Sequence, residues 1–186
     1  MVEAVTAPAV VFFTRRFDPG VTAWFREDVD GQGWDGASVL MLGSIFEPGN
    51  PFGQSPWRRE SGALWDIGPH ALALLLPTLG PAEQVAAVRG QRDEVHLALR
   101  HATGAASSVT LSLTAQAETT EVLFWGGGGV ARMPTDVDLA AAYAASLDAL
   151  LAGDSRFGVT FARDVVRVLA DAAEELPGPR MAAPEA

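Results

Sequence analysis

At 186 residues, 48% hydrophobic and 19% charged, the chain has the bulk of one soluble globular domain with a full core, and little room for a second complete one. A formal net charge of −10 argues against the phosphate backbone of nucleic acid as a partner, because such binding needs a basic patch that releases counterions. Cysteine is absent and all 13 basic residues are arginine, so thiolate chemistry is excluded and any lysine-dependent step is closed to this chain acting alone.

No apolar run reaches the roughly 18 residues that span a bilayer, and the N-terminus lacks the basic start and apolar segment of a signal peptide. The expectation is a cytoplasmic protein that contacts neither membrane nor nucleic acid. Along the chain, Val10-Val11-Phe12-Phe13 is a continuous apolar run that predicts a buried strand over 9–14. Arg15 to Gly20 ends it in a turn, and Val21, Trp24 and Phe25 then have helical spacing over 21–29. A loop over 31–36 precedes a second strand over 37–44. The segment 47–59 is rich in Pro and Gly and reads as an irregular loop of functional length.

This loop leads into the most informative stretch, 60–79. Pro69 is tolerated in a first helical turn, so the spacing predicts a helix starting near Ile67 or Gly68 and anchored in the core by the apolar residues 72–79. Asp66 then lies at the helix mouth and His70 four residues on, a separation at which two side chains share one face. Two readings follow: an acid/base pair facing a small molecule, or a capping aspartate with a helix-surface histidine. Zinc is disfavoured, since the pair supplies only two ligands and neither His96 nor His101 has a matching spacing.

Beyond Gly80-Pro81 the period becomes two. Strands are predicted over 83–89, 94–101, 107–114 and 118–125, with a short one near 130–133, as an antiparallel meander. Val95, Leu97 and Leu99 face inward, as do Val109, Leu111 and Leu113; Ser108, Thr110, Ser112 and Thr114 face outward. That outer face is either solvated or a surface for self-association. Gly126 to Gly129 is a hairpin turn, because it lacks both a Gly-Lys-Ser/Thr ending and a following helix. Thr135-Asp136-Val137-Asp138 resembles a capping box opening a helix with Leu139, Tyr143, Leu147, Leu150 and Leu151 on its apolar side. A last helix from about Thr160 carries the stripe Phe161, Val165, Val168, Leu169, Ala172 and Leu176, and the residues after Pro177 are expected to be loose.

The run Trp57-Arg58-Arg59-Glu60-Ser61-Gly62-Ala63-Leu64-Trp65-Asp66-Ile67-Gly68-Pro69-His70 resembles the Trp-Arg and Gly-Gly-Gly-x-Leu-x-Asp-x-Gly-x-His signature of the Gfo/Idh/MocA oxidoreductases, named for glucose-fructose oxidoreductase, inositol dehydrogenase and MocA. Arg16-Phe17-Asp18-Pro19 resembles the Arg-Phe-x-Pro that opens the same domain. The resemblance implies the family's C-terminal domain over 9–176, flanked by a residual segment 1–8 and a flexible tail 177–186. Its fold is α+β, an open, mostly antiparallel sheet with helices on one face. It also implies that His70 is the general base and Asp66 the residue that orients a substrate hydroxyl. Trp57-Arg58-Arg59 reads either as an anion or hydroxyl contact, since arginine offers a planar fork of donors, or as a loop anchor, and Trp57, Arg58 and Arg16 are the candidate substrate contacts.

The first two glycines of the signature are replaced by Glu60 and Ser61, and Ala73 stands where an acid often follows the histidine. No Gly-x-Gly-x-x-Gly follows a predicted strand, so the family's N-terminal Rossmann domain has no counterpart in these residues. The resulting expectation is the substrate-binding and dimerisation half of an NAD(P)-dependent oxidoreductase acting on a hydroxyl of a sugar, polyol or related small molecule. By itself it would bind no NAD or NADP and no metal; its partners would be a small molecule, a second copy through the open sheet face, and a separate Rossmann-domain protein. The alternative is a non-catalytic binding or assembly module derived from that domain.

Overall fold

Six strands form the spine of the molecule in the computed structural model, which describes residues 7–176. They are β1 (Trp34–Leu42), β2 (Ala82–Arg89), β3 (Val95–His101), β4 (Ala106–Ser112), β5 (Thr119–Gly126) and β6 (Gly129–Arg132), in the spatial order β2-β3-β4-β1-β5-β6. Every neighbouring pair is antiparallel except β1 and β4, which run parallel. The expected α+β class and mostly antiparallel open sheet are therefore present.

The uninterrupted meander is not. β1 lies between β4 and β5, so those two consecutive strands do not pair. β1 is the longest strand and holds the apolar run Val39-Leu40-Met41-Leu42; a central position gives its backbone partners on both edges. Strand alternation does the rest. Ala37, Val39 and Met41, then Val95, Leu97 and Leu99, then Val109 and Leu111, then Val122 and Phe124 all point to one buried face.

The helices cover that face. They are α1 (Thr14–Phe17), α2 (Pro19–Trp24) with a π-helical turn Phe25–Val29, a 3-10 turn Pro51–Gln54, α3 (Pro56–Asp66), α4 (Gly68–Leu79), α5 (Leu139–Leu151) and α6 (Val159–Glu174). α4 is the central one: Ala71 to Leu76 and Leu79 are all buried. α6 lays the expected stripe Val165, Val168, Leu169 and Ala172 into the same core. Asp18 ties the edge together. Fully enclosed, its carboxylate accepts from the Val21 N–H at 2.9 Å, capping α2, and from the Asp138 N–H at 2.8 Å, just before α5.

Several expectations fail in instructive ways. Residues 9–13 form no strand; Val11 donates one backbone bond to Phe157 at 2.8 Å, and the chain then turns into α1. Phe13 and Phe17 spend their apolar surface on an aromatic cluster with Phe157 and Phe161 instead of on a sheet. The 47–59 loop is shorter than expected, because Pro56 opens α3 and makes Trp57 to Arg59 helical. β1 begins at Trp34, inside the expected loop 31–36.

Asp138, not Thr135, caps α5, accepting from the Ala141 N–H at 2.9 Å. α5 also turns the other way: Leu139, Tyr143, Leu147 and Leu151 are exposed, while Ala142 is buried and Ala145 and Ala149 pack on the core. Small residues let this helix approach closely, which outweighs the larger apolar side. Ser112 and Thr114 are buried, not outward, because Asp93 from the β2–β3 turn accepts from both hydroxyls (2.9 and 2.7 Å) and from the Leu113 N–H (2.7 Å). The expected loose tail, 177–186, and most of the segment 1–8 lie outside the described residues.

Candidate functional site

Two glycines shape the approach to His70. Gly62 has φ 66° and ψ −173°, a region open essentially to glycine alone, and it breaks α3 into two segments. Gly68 sits where a Cβ would lie 2.9 Å from Leu169 Cδ2 and 3.3 Å from Leu111 Cδ1. Its missing side chain lets the start of α4 press between α6 and the sheet. Pro69 fills the first turn, where no N–H is needed, and His70 follows with its ring edge-on to Phe13, 6.3 Å between centroids.

His70 lines a cleft of about 550 Å³ at the end of the sheet where β1 finishes and β5 begins. Thr14 and Arg15 of α1, Met41 to Gly43, Leu113, Glu118 to Glu121 and Thr135 are among the residues that line it with His70. Burial drives the His70 pKa below its usual 6.5; the Asp66 charge opposes that shift and the Arg15 charge adds to it. The imidazole is therefore neutral at pH 7, with one nitrogen able to accept a proton. Arg15 donates from Nη2 to Thr120 Oγ1 at 2.8 Å, joining residues far apart in the chain. Burial lowers the Arg15 pKa, with Asp18 and Glu118 partly offsetting the effect.

The other residues singled out from the sequence are distributed differently. Asp66 is the last residue of α3, not a cap on α4, and its Oδ2 accepts from Arg58 Nε at 2.9 Å. It acts on His70 through charge while its carboxylate is held by Arg58. Arg58 lies over the Phe52 ring at 5.1 Å and near Trp57 at 5.9 Å, and Trp57 is half exposed. Arg16 points into the core, with its guanidinium 3.7 Å from the Phe25 ring centroid and 5.1 Å from that of Phe157; burial brings its pKa down to about 10. Neither Trp57, Arg58 nor Arg16 lines the His70 cleft.

Arg15, Glu118 and Thr120 went unnoticed in the sequence. The only local signal was the Arg15-Arg16 pair, and nothing in it tells which arginine faces the cleft. His96 and His101 belong to other places: His96 lies on the open face beside Thr110 (3.1 Å), and His101 is fully buried between Gly80 O and Ser107 Oγ, both at 2.8 Å. Among the described residues no group of His, Asp and Glu is arranged to hold a metal ion, and no helix is long and apolar enough to cross a membrane.

The fold and cleft define an open-faced α+β domain whose central helix delivers a neutral histidine to one end of the sheet. The family model for the GFO/IDH/MocA C-terminal domain matches residues 35–132, more than half of the chain, and the chain belongs to that family. No curated protein sequence matches it. Solved structures share the fold at low identity. GenD2 from gentamicin A biosynthesis, in complex with NAD, is 18% identical with a TM-score of 0.69, covering 88% of this chain and 60% of that one. The WlbA (WbpB) dehydrogenase of Thermus thermophilus, with NAD and UDP-GlcNAcA, is 20% identical with a TM-score of 0.65, covering 94% and 57%. A myo-inositol dehydrogenase of Corynebacterium glutamicum is 18% identical with a TM-score of 0.64, covering 88% and 61%. The chain thus spans about six-tenths of the length of these proteins.

Proposed function

We propose that the chain is the substrate-handling half of an NAD(P)-dependent oxidoreductase acting on a hydroxyl of a sugar, polyol or related small molecule. The observation that carries this reading is the neutral His70 at the wall of a cleft that also presents the hydroxyls of Thr14, Thr119 and Thr120. In this reading His70 accepts the hydroxyl proton as the general base, and Asp66 stabilises the imidazolium that results. Arg58 holds Asp66 in place, so it acts on the substrate at one remove; Trp57 lies outside the cleft and Arg16 is a core residue.

Two-electron oxidation of a hydroxyl needs a hydride acceptor, and the relatives named above with NAD indicate a nicotinamide. A dinucleotide cradle needs a glycine-rich turn leading straight from a strand into a helix N-terminus. Here β1 runs into residues 43–55 before α3 begins, and the close approach at Gly53 is taken up by the Ile45 carbonyl, 2.7 Å from where a Cβ would be. The described residues do not fit the cofactor, so we assign it to a nucleotide-binding domain supplied by other residues, and derive no step through it. The open sheet face we assign to pairing with a second copy.

The test follows the His70 ring by NMR while sugars and polyols are added. Saturable shifts of the His70 ring, with the rings of His96 and His101 outside the cleft left in place, are the expected result; a His70 ring untouched by every sugar and polyol would overturn the reading. A second reading, a non-catalytic binding or assembly module, is favoured by the Arg58–Asp66 ion pair and by Glu60, Ser61 and Ala73 at positions where the family motif differs. Supplying a Rossmann-domain partner with NAD or NADP separates the two. Turnover abolished by His70→Ala supports the oxidoreductase; turnover unchanged by that substitution removes His70 from the chemistry.

A further inference from the structure

We propose that a second cavity, separate from the His70 cleft, binds a phosphate group between Arg59 and Arg89. It has a volume of about 150 Å³ and lies between α3, the end of β2 with the turn after it, and the end of α6. No residue lines both this cavity and the His70 cleft. Pockets that enclose a whole small molecule start at about 300 Å³, so this one suits a single functional group.

Charge narrows the choice of group. Arg59 from α3 and Arg89 from the end of β2 both line the cavity, and among the described residues neither has an ion-pair partner. Arg59 is held in place: Nη2 donates to Gly53 O at 2.7 Å, and the guanidinium lies 5.0 Å from the centroid of the Phe46 ring. Arg89 makes no hydrogen bond among the described residues. Its Nε is shut away from solvent, whereas its two terminal nitrogens are not. Asp93 is the one acidic residue on the wall, and it is already committed: Oδ1 accepts from the Ser112 and Thr114 hydroxyls and Oδ2 from the Leu113 N–H. The cavity is left with an excess of positive charge and unmade donors, which an anion completes.

Shape then separates phosphate from carboxylate. A carboxylate presents two oxygens in one plane, and a single guanidinium fork satisfies both. Two guanidinium groups carried on different elements, with Ser61 adding a hydroxyl, suit a group whose oxygens point four ways. Gly62 follows Ser61 in the wall, and a Cβ there would meet nothing within 4 Å, so bare backbone borders the open volume. The Asp93 charge tempers the affinity without cancelling the two arginines. A phosphate seated here would tie α3, which ends in Asp66, to β2.

Amide NMR titration of the intact chain with inorganic phosphate, sulfate and acetate, at an ionic strength held constant with chloride, tests this. Phosphate and sulfate are expected to shift the Ser61, Gly62 and Arg89 amides saturably while leaving the His70 ring in place, and acetate to bind at least about tenfold more weakly. Arg89→Gln is expected to weaken phosphate by about tenfold or more, and Ser61→Ala to weaken it less. Phosphoethanolamine identifies the source: binding equal to that of inorganic phosphate supports a site for the phosphate end of a larger molecule, and weaker binding supports one for free phosphate. Acetate as tight as phosphate, shifts that appear at the His70 ring and not at Gly62, or no saturable shift with any of these anions overturns the proposal. So does phosphate binding that Arg89→Gln leaves unchanged; if that variant does not fold, the order of the anions on the native chain and the Ser61→Ala result decide.

Discussion

His70 is tuned by three opposing influences, and the sign of each can be checked. Burial lowers its pKa most, Asp66 raises it, and Arg15 lowers it again. Replacing Asp66 by Asn removes a contribution that favours the protonated ring, so the His70 pKa in that variant is expected to fall further below 6.5. An NMR titration of the ring carbon protons reads this directly, and a value that rises or stays put would show that Asp66 is not electrostatically coupled to it. The sequence spacing puts this pair on one helix face, whereas in the structure Asp66 acts on His70 by charge alone from the helix before it. Asp66 and His70 do not share one helix: Ile67 separates the end of α3 from the start of α4, and its own helical backbone, φ −107° and ψ −15°, carries the chain directly from one into the other. Arg58 was legible only as a candidate contact, since its ion pair with Asp66 depends on α3 starting at Pro56.

At the scale of elements, His101 fastens β3 to the end of α4. Gly80 O can only accept, so Nδ1 carries the proton and donates to it, and Nε2 accepts from Ser107 Oγ–H. Burial lowers the His101 pKa below 6.5 despite the favourable bond to Gly80. The folded state therefore resists a proton that the unfolded chain takes readily. Stability is expected to be full above pH 6.5 and to fall as the pH drops below it, until the depressed folded-state value is reached, at about 1.4 kcal/mol for each unit of separation. His70 adds to the slope with the same sign. Urea unfolding at pH 7.5 and at pH 5, repeated on His101→Gln, measures it: the wild type loses stability on acidification and the variant loses less. An equal loss in both would assign the effect elsewhere. In the sequence His101 closes the predicted strand 94–101 two residues beyond Leu99, so the period of two already places it in the inward register of Val95, Leu97 and Leu99.

For the molecule as a whole, strand identity was readable and strand order was not. Period-two alternation marks which residues face inward, as in β3 and β4, but says nothing about which strand pairs with which; β1 enters between β4 and β5 through contacts remote in sequence. The face opposite the helices was likewise legible as polar. In register across it lie Gln84, Ala86 and Val88, His96, Ala98 and Arg100, Ser108 and Thr110, Ser38 and Leu40, Glu121, Leu123 and Trp125, and Val130 and Arg132, a mixture of charged, polar, small and apolar side chains with Val88 and Val130 both well exposed. Six strands about 4.8 Å apart and some 20 Å long give a patch on the order of 600 Å², close to what each partner of a standard interface contributes, about 800 Å². A two-fold pairing would bring the central strands β4 and β1 against their copies, so one changed residue there appears twice in the interface. Thr110→Arg places two guanidinium groups in that contact while leaving the buried face of β4 untouched. Light scattering is expected to give a dimer for the native chain and a monomer for Thr110→Arg, with the circular dichroism unchanged. A native monomer, or a dimer indifferent to the substitution, would mean that the open face serves another purpose.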